Sequence, residues 1–182
     1  NKSRKTRVMS VKPFVVLESF DLIITDLFDI AKIFAQHTQN SDVLLLSGKV
    51  GSGKTEFARL LIKAKAIQEN SIIEEVSSPT FSLVQNYEFQ YCKISHIDLY
   101  RVNSAVELFE LGIPDIFDSQ ITLLEWPEIL ETKNISRYVT IKIKETKKLK
   151  DCRDFTIEFF GQSWDDLSGA LLGSRHFTIG NI

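Results

Sequence analysis

The chain has 182 residues and a mass of 20.8 kDa, which suits one domain with a single hydrophobic core. Hydrophobic residues make up 43% and charged residues 25%, and this composition excludes a wholly disordered protein. The net charge of −2 argues against a general nucleic-acid coating protein, although residues 1–12 and 137–153 are basic and the remainder is acidic.

Short β-rich runs alternate with helical periodicity along the chain, which is the pattern of an α/β fold. Strands are predicted, in chain order, at Val11–Glu18, Val43–Ser47, Ser71–Val76, Phe81–Phe89, Lys93–Leu99, Ile121–Leu124, Tyr138–Lys144 and Phe155–Phe160. Helices are predicted at Asp21–Gln39, at Thr55–Gln68, and from an Asn103 or Ser104 cap through Leu111 to a stop at Gly112. Because two strands are continuously apolar, we expect a three-layer sandwich whose central sheet is mostly parallel, with antiparallel additions.

Eight consecutive residues, Gly48–Thr55, match the phosphate-binding pattern GxxxxGK[ST]. An apolar strand precedes them and an amphipathic helix follows, as the motif requires. Glycines permit positive φ angles and bring backbone N–H groups against phosphate oxygens. Lys54 can reach the β and γ phosphates, and the Thr55 hydroxyl can ligate Mg²⁺. The sequence therefore predicts a site for ATP or ADP with Mg²⁺.

Two acidic residues follow predicted strands and are candidate partners of that metal. Asp98 ends the run Ile94–Ile97, and Glu125 ends the run Ile121–Leu124. Mg²⁺ requires a carboxylate at the mouth of a neighbouring strand. One acid can ligate the metal while the other orients water, and the sequence leaves the division open.

Three classes of nucleotide protein compete for this pattern. A GTPase is excluded because the chain lacks both the N/TKxD base-reading motif and DxxG. A small-molecule kinase needs an arginine-bearing lid, and arginines are sparse in the middle of the chain. An ATPase that works as a nucleotide-driven switch on a partner fits best, and a regulatory nucleotide-binding module without significant turnover stays open.

Four short sequence motifs occur along the chain in the order typical of one protein family. They are the phosphate loop, Ser78–Phe81, His96–Arg101 and Leu124–Glu128. With the segment Glu107–Gly112, they resemble the bacterial TsaE (YjeE) ATPases of tRNA threonylcarbamoyladenosine modification. The resemblance implies a cytoplasmic, Mg²⁺-dependent ATPase, weak alone, that acts with the TsaD and TsaB proteins and meets tRNA only through them. No membrane partner is expected, because no apolar run approaches the ~20 residues that span a bilayer.

The resemblance also assigns roles to individual residues. It implies that Thr80 acts as a switch-like threonine, that Asp98 and Glu125 are the two catalytic acids, and that Trp126 lies near the nucleotide. The metal ligands it implies are Thr55, Glu125 and Asp98. The nucleotide site then comprises Gly48, Val50, Gly51, Ser52, Gly53, Lys54, Thr55, Glu56 and Trp126.

Some parts of the chain depart from the family pattern. Glu56 stands where the family often has a hydroxyl residue, and we expect its carboxylate to crowd the phosphates. The bases between Arg137 and Arg153 form either a solvated face or a surface that approaches tRNA or a partner, with Lys147, Lys148 and Lys150 at its centre. His96 either touches the site or is a hydrogen-bonded strand histidine.

These predictions divide the chain into three segments. Residues 1–10 form a basic arm that we expect to be disordered, with Met9 a possible start. Residues 11–160 form the P-loop ATPase domain. Residues 161–182 form a C-terminal tail with little periodicity, to which no element is assigned. Cys92 and Cys152 lack zinc-site or disulfide-framework spacing, so we expect a reduced compartment.

Overall fold

The computed structural model describes residues 12–146, 149 and 151–181, which form one eight-stranded sheet with helices on both faces. The strands are β1 (Val15–Leu22), β2 (Val43–Ser47), β3 (Val84–Glu88), β4 (Lys93–Asp98), β5 (Ile121–Glu125), β6 (Tyr138–Glu145), β7 (Arg153–Phe160) and β8 (Thr178–Ile179). The α-helices are α1 (Ile24–His37), α2 (Lys54–Gln68), α3 (Ala105–Glu110), α4 (Ile113–Ser119) and α5 (Asp165–Gly173). Short 3₁₀ turns occupy Pro127–Ile129 and Thr132–Asn134.

The strand order of the sheet is β3-β4-β5-β2-β6-β7-β1-β8. The four strands β4, β5, β2 and β6 run parallel to one another. Strand β3 is added antiparallel to β4, and β7, β1 and β8 are added antiparallel beyond β6. The predicted α/β sandwich with a mostly parallel centre and antiparallel additions is therefore confirmed.

Alternating side chains of β2 supply two separate apolar cores, which define the three layers. Leu44 and Leu46 pack in the larger core with residues of α1, α2 and α5. Val43 and Leu45 pack in the smaller core with residues of α3 and α4. The continuous apolar sequence of β2 is explained by this burial on both faces.

Most of the predicted elements are confirmed, with ends that differ by a few residues. Strand β2 has the predicted bounds, and the predicted strands Phe81–Phe89 and Lys93–Leu99 form an antiparallel hairpin of β3 and β4, with β3 shorter than expected. Helix α3 begins after Ser104, whose side chain accepts a hydrogen bond from the Glu107 amide. Gly112 then stops it with a φ of 67°.

The predicted strand Ser71–Val76 is wrong. These residues form no strand and are not part of the sheet, which at this end runs in the order β3-β4-β5. Ile72 is 94% exposed, and only Val76 is buried, where its carbonyl oxygen accepts a hydrogen bond from Arg59 Nε at 2.9 Å. The segment is therefore a connection that crosses the surface and not a sheet strand.

Residues 161–181 carry structure that the sequence did not indicate. Helix α5 packs on α1 and β1, and β8 pairs with β1. The ring of Trp164 is fully buried beside Phe159, and its Nε1 donates a hydrogen bond to the Phe160 carbonyl oxygen at 2.9 Å. The glycines of this segment, at 169 and 173, interrupt the helical pattern, which explains why α5 was not predicted.

Several predictions concern residues outside the described ranges. The basic arm at 1–10, Met9, and the start of the first predicted strand at Val11 belong to this group, as do Lys147, Lys148 and Lys150. Within the described ranges, no helix is both long enough and apolar enough to cross a membrane.

Candidate active site

The candidate site lies at the carboxyl edge of the parallel strands. In the sheet register Glu125 at the end of β5 stands beside Asp98 at the end of β4 and beside Leu46 of β2. The phosphate loop follows β2 directly and leads into α2. Parallel strands bring their carboxyl ends to one edge, so residues distant in sequence meet there.

The glycines of the loop occupy conformations that other residues avoid. Gly48, Gly51 and Gly53 have φ angles of 147°, 78° and 106°. A Cβ atom on Gly48 would collide with the Ile143 carbonyl oxygen and would lie 2.6 Å from Ser52 Oγ. The loop therefore needs glycine at Gly48 both for its backbone conformation and for its close approach to β6.

Lys54 begins α2 and its side chain closes the loop. Its Nζ donates hydrogen bonds to the carbonyl oxygens of Gly48 at 2.8 Å and Lys49 at 3.0 Å. The same atom lies 3.8 Å from the ring centroid of Trp126. Burial lowers the pKa of Lys54, and the charge of Glu125 is the largest effect that opposes this shift. A cation is thus held in the loop where phosphate charge would be neutralised.

Beside Lys54, hydrogen bonds join the half-buried Thr55 to the buried Glu125, and Glu125 to the buried His96. Thr55 Oγ1 donates to Glu125 Oε2 at 2.8 Å, and Glu125 Oε1 is 2.8 Å from His96 Nε2. His96 is completely buried, and its Nδ1 has no hydrogen-bond partner among the described residues. Both alternatives for His96 therefore hold together: it is a hydrogen-bonded strand histidine, and its partner is a candidate site carboxylate.

A second chain of hydrogen bonds links Thr80 to Asp98. Thr80 Oγ1 donates to Asp98 Oδ2 at 2.9 Å, and Ser78 Oγ lies 2.8 Å from Thr80 Oγ1. The other carboxylate oxygen, Asp98 Oδ1, accepts from the backbone N–H of Tyr100 at 2.9 Å. The carboxylate of Asp98 is therefore held by two donors, and Thr80 is tied to the end of β4.

Trp126 follows Glu125 in an unusual backbone conformation. Its φ is 60°, which is rare for a bulky residue and is typical of functional or tightly constrained positions. Its N–H donates to the Leu46 carbonyl oxygen at 3.2 Å, and its ring packs on Tyr100 with centroids 4.9 Å apart. The sequence motif contained Tyr100, but only the structure shows that its ring joins Trp126 at the site.

One pocket of about 230 Å³ collects most of the predicted site residues. It is lined by Val50, Gly51, Lys54, Thr55, Thr80, Asp98, Tyr100, Glu125 and Trp126. Gly48 and Ser52 instead line a separate cavity, which lies between the loop and the end of β6. Neither Gly53 nor Glu56 lines either of these two cavities; the half-exposed Glu56 carboxylate lies 3.8 Å from the Arg59 guanidinium.

The side chains around the pocket fit a magnesium ion bound together with phosphate. The described residues contain no cluster of three or more His, Cys, Asp or Glu side chains that would hold a metal alone. Mg²⁺ usually takes one or two carboxylates and completes its shell with water and substrate phosphates. The hydroxyl of Thr55 and the carboxylates of Asp98 and Glu125 line one pocket, which matches this mode of binding.

A glycine-rich loop between a buried strand and a helix, on a three-layer sheet with a parallel centre, defines a P-loop NTPase-like α/β protein. Residues 24–154 match the family described as "Threonylcarbamoyl adenosine biosynthesis protein TsaE". The chain belongs to the TsaE family.

Curated relatives agree with this assignment, and one solved structure shares the fold. The chain is 31% identical over 153 residues to the tRNA threonylcarbamoyladenosine biosynthesis protein TsaE of Bacillus subtilis, covering 84% of this chain and 90% of that protein. It is 41% identical over 101 residues to the protein of the same name from Rickettsia typhi, covering 56% and 67%. The crystal structure of Bacillus subtilis YdiB superposes with a TM-score of 0.63 at 23% identity, over 86% of this chain and 93% of that one, which shows the shared fold.

Proposed function

We propose that this chain is a Mg²⁺-dependent ATPase that supports tRNA threonylcarbamoyladenosine modification by working as a nucleotide-driven partner of the TsaD and TsaB proteins. The family is one of threonylcarbamoyladenosine biosynthesis. In the proposal the transfer of the modifying group belongs to the partners, and tRNA is reached through them. We place the activity in the cytoplasm, which suits two buried cysteines that form no disulfide.

One observation carries the ATPase proposal: the loop lysine and threonine line the same pocket as two carboxylates from neighbouring strands. Lys54 supplies positive charge for the β and γ phosphates, and the loop supplies backbone N–H groups. The Thr55 hydroxyl and one of the carboxylates, Asp98 or Glu125, would hold Mg²⁺. When bound, the ion neutralises charge on the phosphates. A glycine-rich turn without a ligand would need none of these groups.

The second carboxylate is available to orient the attacking water. Each carboxylate is tied to a hydroxyl: Asp98 to Thr80 at 2.9 Å and Glu125 to Thr55 at 2.8 Å. Thr80 is placed to respond to the γ-phosphate through its bond to Asp98. No arginine is among the described residues that line the pocket. We therefore infer that hydrolysis by the isolated protein is slow and that a partner completes the site.

The decisive experiment measures phosphate release from ATP by the isolated protein and by the protein mixed with TsaB and TsaD. Lys54→Ala should lower turnover at least about 100-fold, because it removes the cation that faces the transferred phosphoryl group. Lys63→Ala is the matched control, since Lys63 is an exposed lysine of the same helix. Stimulation by TsaB and TsaD in the wild type, and its absence in Lys54→Ala, would support the proposal.

Two other results would select the rival functions. Transfer of phosphate to a small metabolite instead of water would identify a small-molecule kinase. Tight binding of ATP with no release of phosphate, alone or with partners, would identify a regulatory nucleotide-binding module. Turnover that Lys54→Ala leaves unchanged would remove the phosphate-loop assignment itself.

A further inference from the structure

Arg153 is the last base of the basic segment 137–153, and the fold brings it beside the phosphate loop. Strand β6 is parallel to β2, so its last residue lies at the same edge of the sheet as the phosphate loop. Strand β7 returns antiparallel, and its first residue, Arg153, pairs with Glu145 at the end of β6. Sheet topology thus brings Arg153 beside a loop about a hundred positions earlier in the chain.

The guanidinium of Arg153 binds the outer side of that loop. Its Nε donates a hydrogen bond of 2.7 Å to the Ser52 carbonyl oxygen. Its Nη1 donates to the Cys152 carbonyl oxygen at 2.9 Å, which holds the guanidinium against its own strand. A Cβ atom placed on Gly53 would lie 3.6 Å from Arg153 Nε, so the side chain also lies close to the next residue of the loop.

Two other bases described in this segment bind carboxylates. Arg137 donates to the buried carboxylate of Asp42 at 2.6 Å, and Lys142 to Glu158 at 2.8 Å. Among the described residues, the acceptors of Arg153 are both backbone oxygens, one of which belongs to the phosphate loop. A charge–carbonyl bond of this kind is worth more than a neutral one, and it fixes the orientation of a single peptide group.

We propose that Arg153 is a positioning residue for nucleotide binding, which holds the peptide between Ser52 and Gly53 so that the Gly53 N–H faces the phosphates. In a planar trans peptide the carbonyl and the N–H point in opposite directions. Because the Ser52 oxygen points to Arg153 on β7, the Gly53 N–H points away from β7. The pocket carboxylates Asp98 and Glu125 lie on the other side of β2 from β7, at the ends of β4 and β5.

Without Arg153 the peptide group between Ser52 and Gly53 is free to rotate. Gly53 has a φ of 106°, and glycine adopts several backbone conformations at similar free energy. Ser52 also closes a turn, its N–H donating to the Lys49 carbonyl oxygen at 3.1 Å, but that bond constrains the preceding peptide. Arg153 therefore acts on phosphate through the backbone, and it needs no contact with the ligand itself. This inference rests on the proposed function, since it requires that nucleotide binds the loop.

The test compares Arg153→Met and Arg153→Lys with wild type, by calorimetric titration of ADP and by the KM and kcat of ATP hydrolysis with the partners present. Arg153→Met should raise the ADP dissociation constant and the ATP KM about tenfold, with kcat within about threefold of wild type. Arg153→Lys should recover part of the affinity, because an ammonium can donate one hydrogen bond to Ser52. Lys142→Met, an exposed base on β6, is the control and should bind ADP like wild type.

Several results would overturn the inference. A purely structural role would lower the folded fraction and hence the apparent kcat, leaving KM and the ADP affinity of the folded protein unchanged. If Arg153→Met does not fold, the inference is tested with Arg153→Lys and with the Gly53 amide resonance of the wild type. The inference requires that ADP binding shifts this resonance. Normal ADP binding by Arg153→Lys together with an unmoved Gly53 resonance would overturn the positioning role.

The same titration separates this inference from the proposed function. Failure of the wild type to bind either ATP or ADP would overturn both. Wild-type binding with undiminished affinity in Arg153→Met would overturn the role of Arg153 alone and leave the ATPase proposal intact.

Discussion

The two halves of the sheet differ in what their strands bury. In the parallel half, β2, β4 and β5 are buried on both faces, and their ends hold the candidate site. In the antiparallel half, beyond β6, strands β7 and β1 mix buried with more exposed positions, and α5 covers one face. The parallel half carries the groups proposed to do chemistry, while the antiparallel half supplies much of the larger core.

Unsatisfied polar groups follow the same division. Among the described residues, four buried side-chain polar atoms have no hydrogen-bond partner. Three of them, in Ser52, His96 and Thr122, belong to the parallel half or its loop, and one, in Ser19, belongs to β1. Buried polar groups without partners cost stability and are tolerated mainly where function requires them. Among the described residues, the half that holds the site therefore bears most of this cost.

The largest expected effect is on stability, in the antiparallel half. Trp164→Ala should lower the free energy of unfolding by about 3–5 kcal/mol, because it empties a fully buried site and removes the ring under Arg137. ADP affinity of the folded protein should stay within about twofold of wild type, since Trp164 is not among the residues that line the pocket. Urea unfolding and calorimetric titration measure the two quantities.

Phe109→Ala is the matched control for Trp164→Ala, since Phe109 is 72% exposed and its loss should change stability by no more than about 0.5 kcal/mol. Trp164→Phe covers the case in which Trp164→Ala does not fold. A loss of ADP affinity that parallels the loss of stability would break the comparison, because the antiparallel half would then belong to the site.

The second largest expected effect is on the rate of ATP hydrolysis, and it comes from the carboxylates of the parallel half. Glu125→Gln should lower ATP hydrolysis about 100- to 1,000-fold while unfolding changes little, because the amide keeps the shape of the side chain but loses its charge. Asp98→Asn should lower hydrolysis as well. Raising Mg²⁺ should restore activity only in the variant that has lost a metal ligand, so a magnesium titration of both assigns the two roles.

Glu131→Gln is the control for these variants, because Glu131 is an exposed acid that does not line the pocket and is paired with Lys133. Retention of more than half of wild-type hydrolysis by both Glu125→Gln and Asp98→Asn would show that the chemistry lies elsewhere. Equal sensitivity of both variants to Mg²⁺ would mean that both carboxylates share the ion.

Sequence patterns predicted the parallel half well because its signals are local. Strand β2 is an uninterrupted apolar run, the phosphate loop has a fixed spacing, and Asp98 and Glu125 each end a strand. Parallel strands then force those ends together, so the pocket follows from the order of elements. What the sequence could not supply is pairing between side chains, such as His96 with Glu125, because this depends on the register of β4 against β5.

The antiparallel half was predicted less completely, for physical reasons. Helix α5 contains two glycines, so local propensity is low, and its helical form depends on packing against α1 and β1. Arg153 stands in a basic segment, and no spacing in the sequence relates it to Ser52. Its contact is created by the return of β7 along β6. Tertiary packing therefore decides structure where local signals are weak.

The smallest expected effect lies at the boundary of the two halves. Thr140 of β6 donates a hydrogen bond of 2.8 Å to Glu158 of β7, on a face that is only partly buried. Thr140→Val should lower the free energy of unfolding by about 0.5–1 kcal/mol, because valine suits a strand but cannot donate.

In the Thr140→Val variant, the Glu158 carboxylate keeps its second partner, Lys142 at 2.8 Å, which limits the loss. The ATP KM should not change, because the bond lies outside the pocket and joins strands that remain paired through their backbones. Urea unfolding and steady-state kinetics check both expectations. A tenfold rise in KM from so small a change would mean that the boundary transmits strain to the loop, and the two halves would have to be treated as one functional unit.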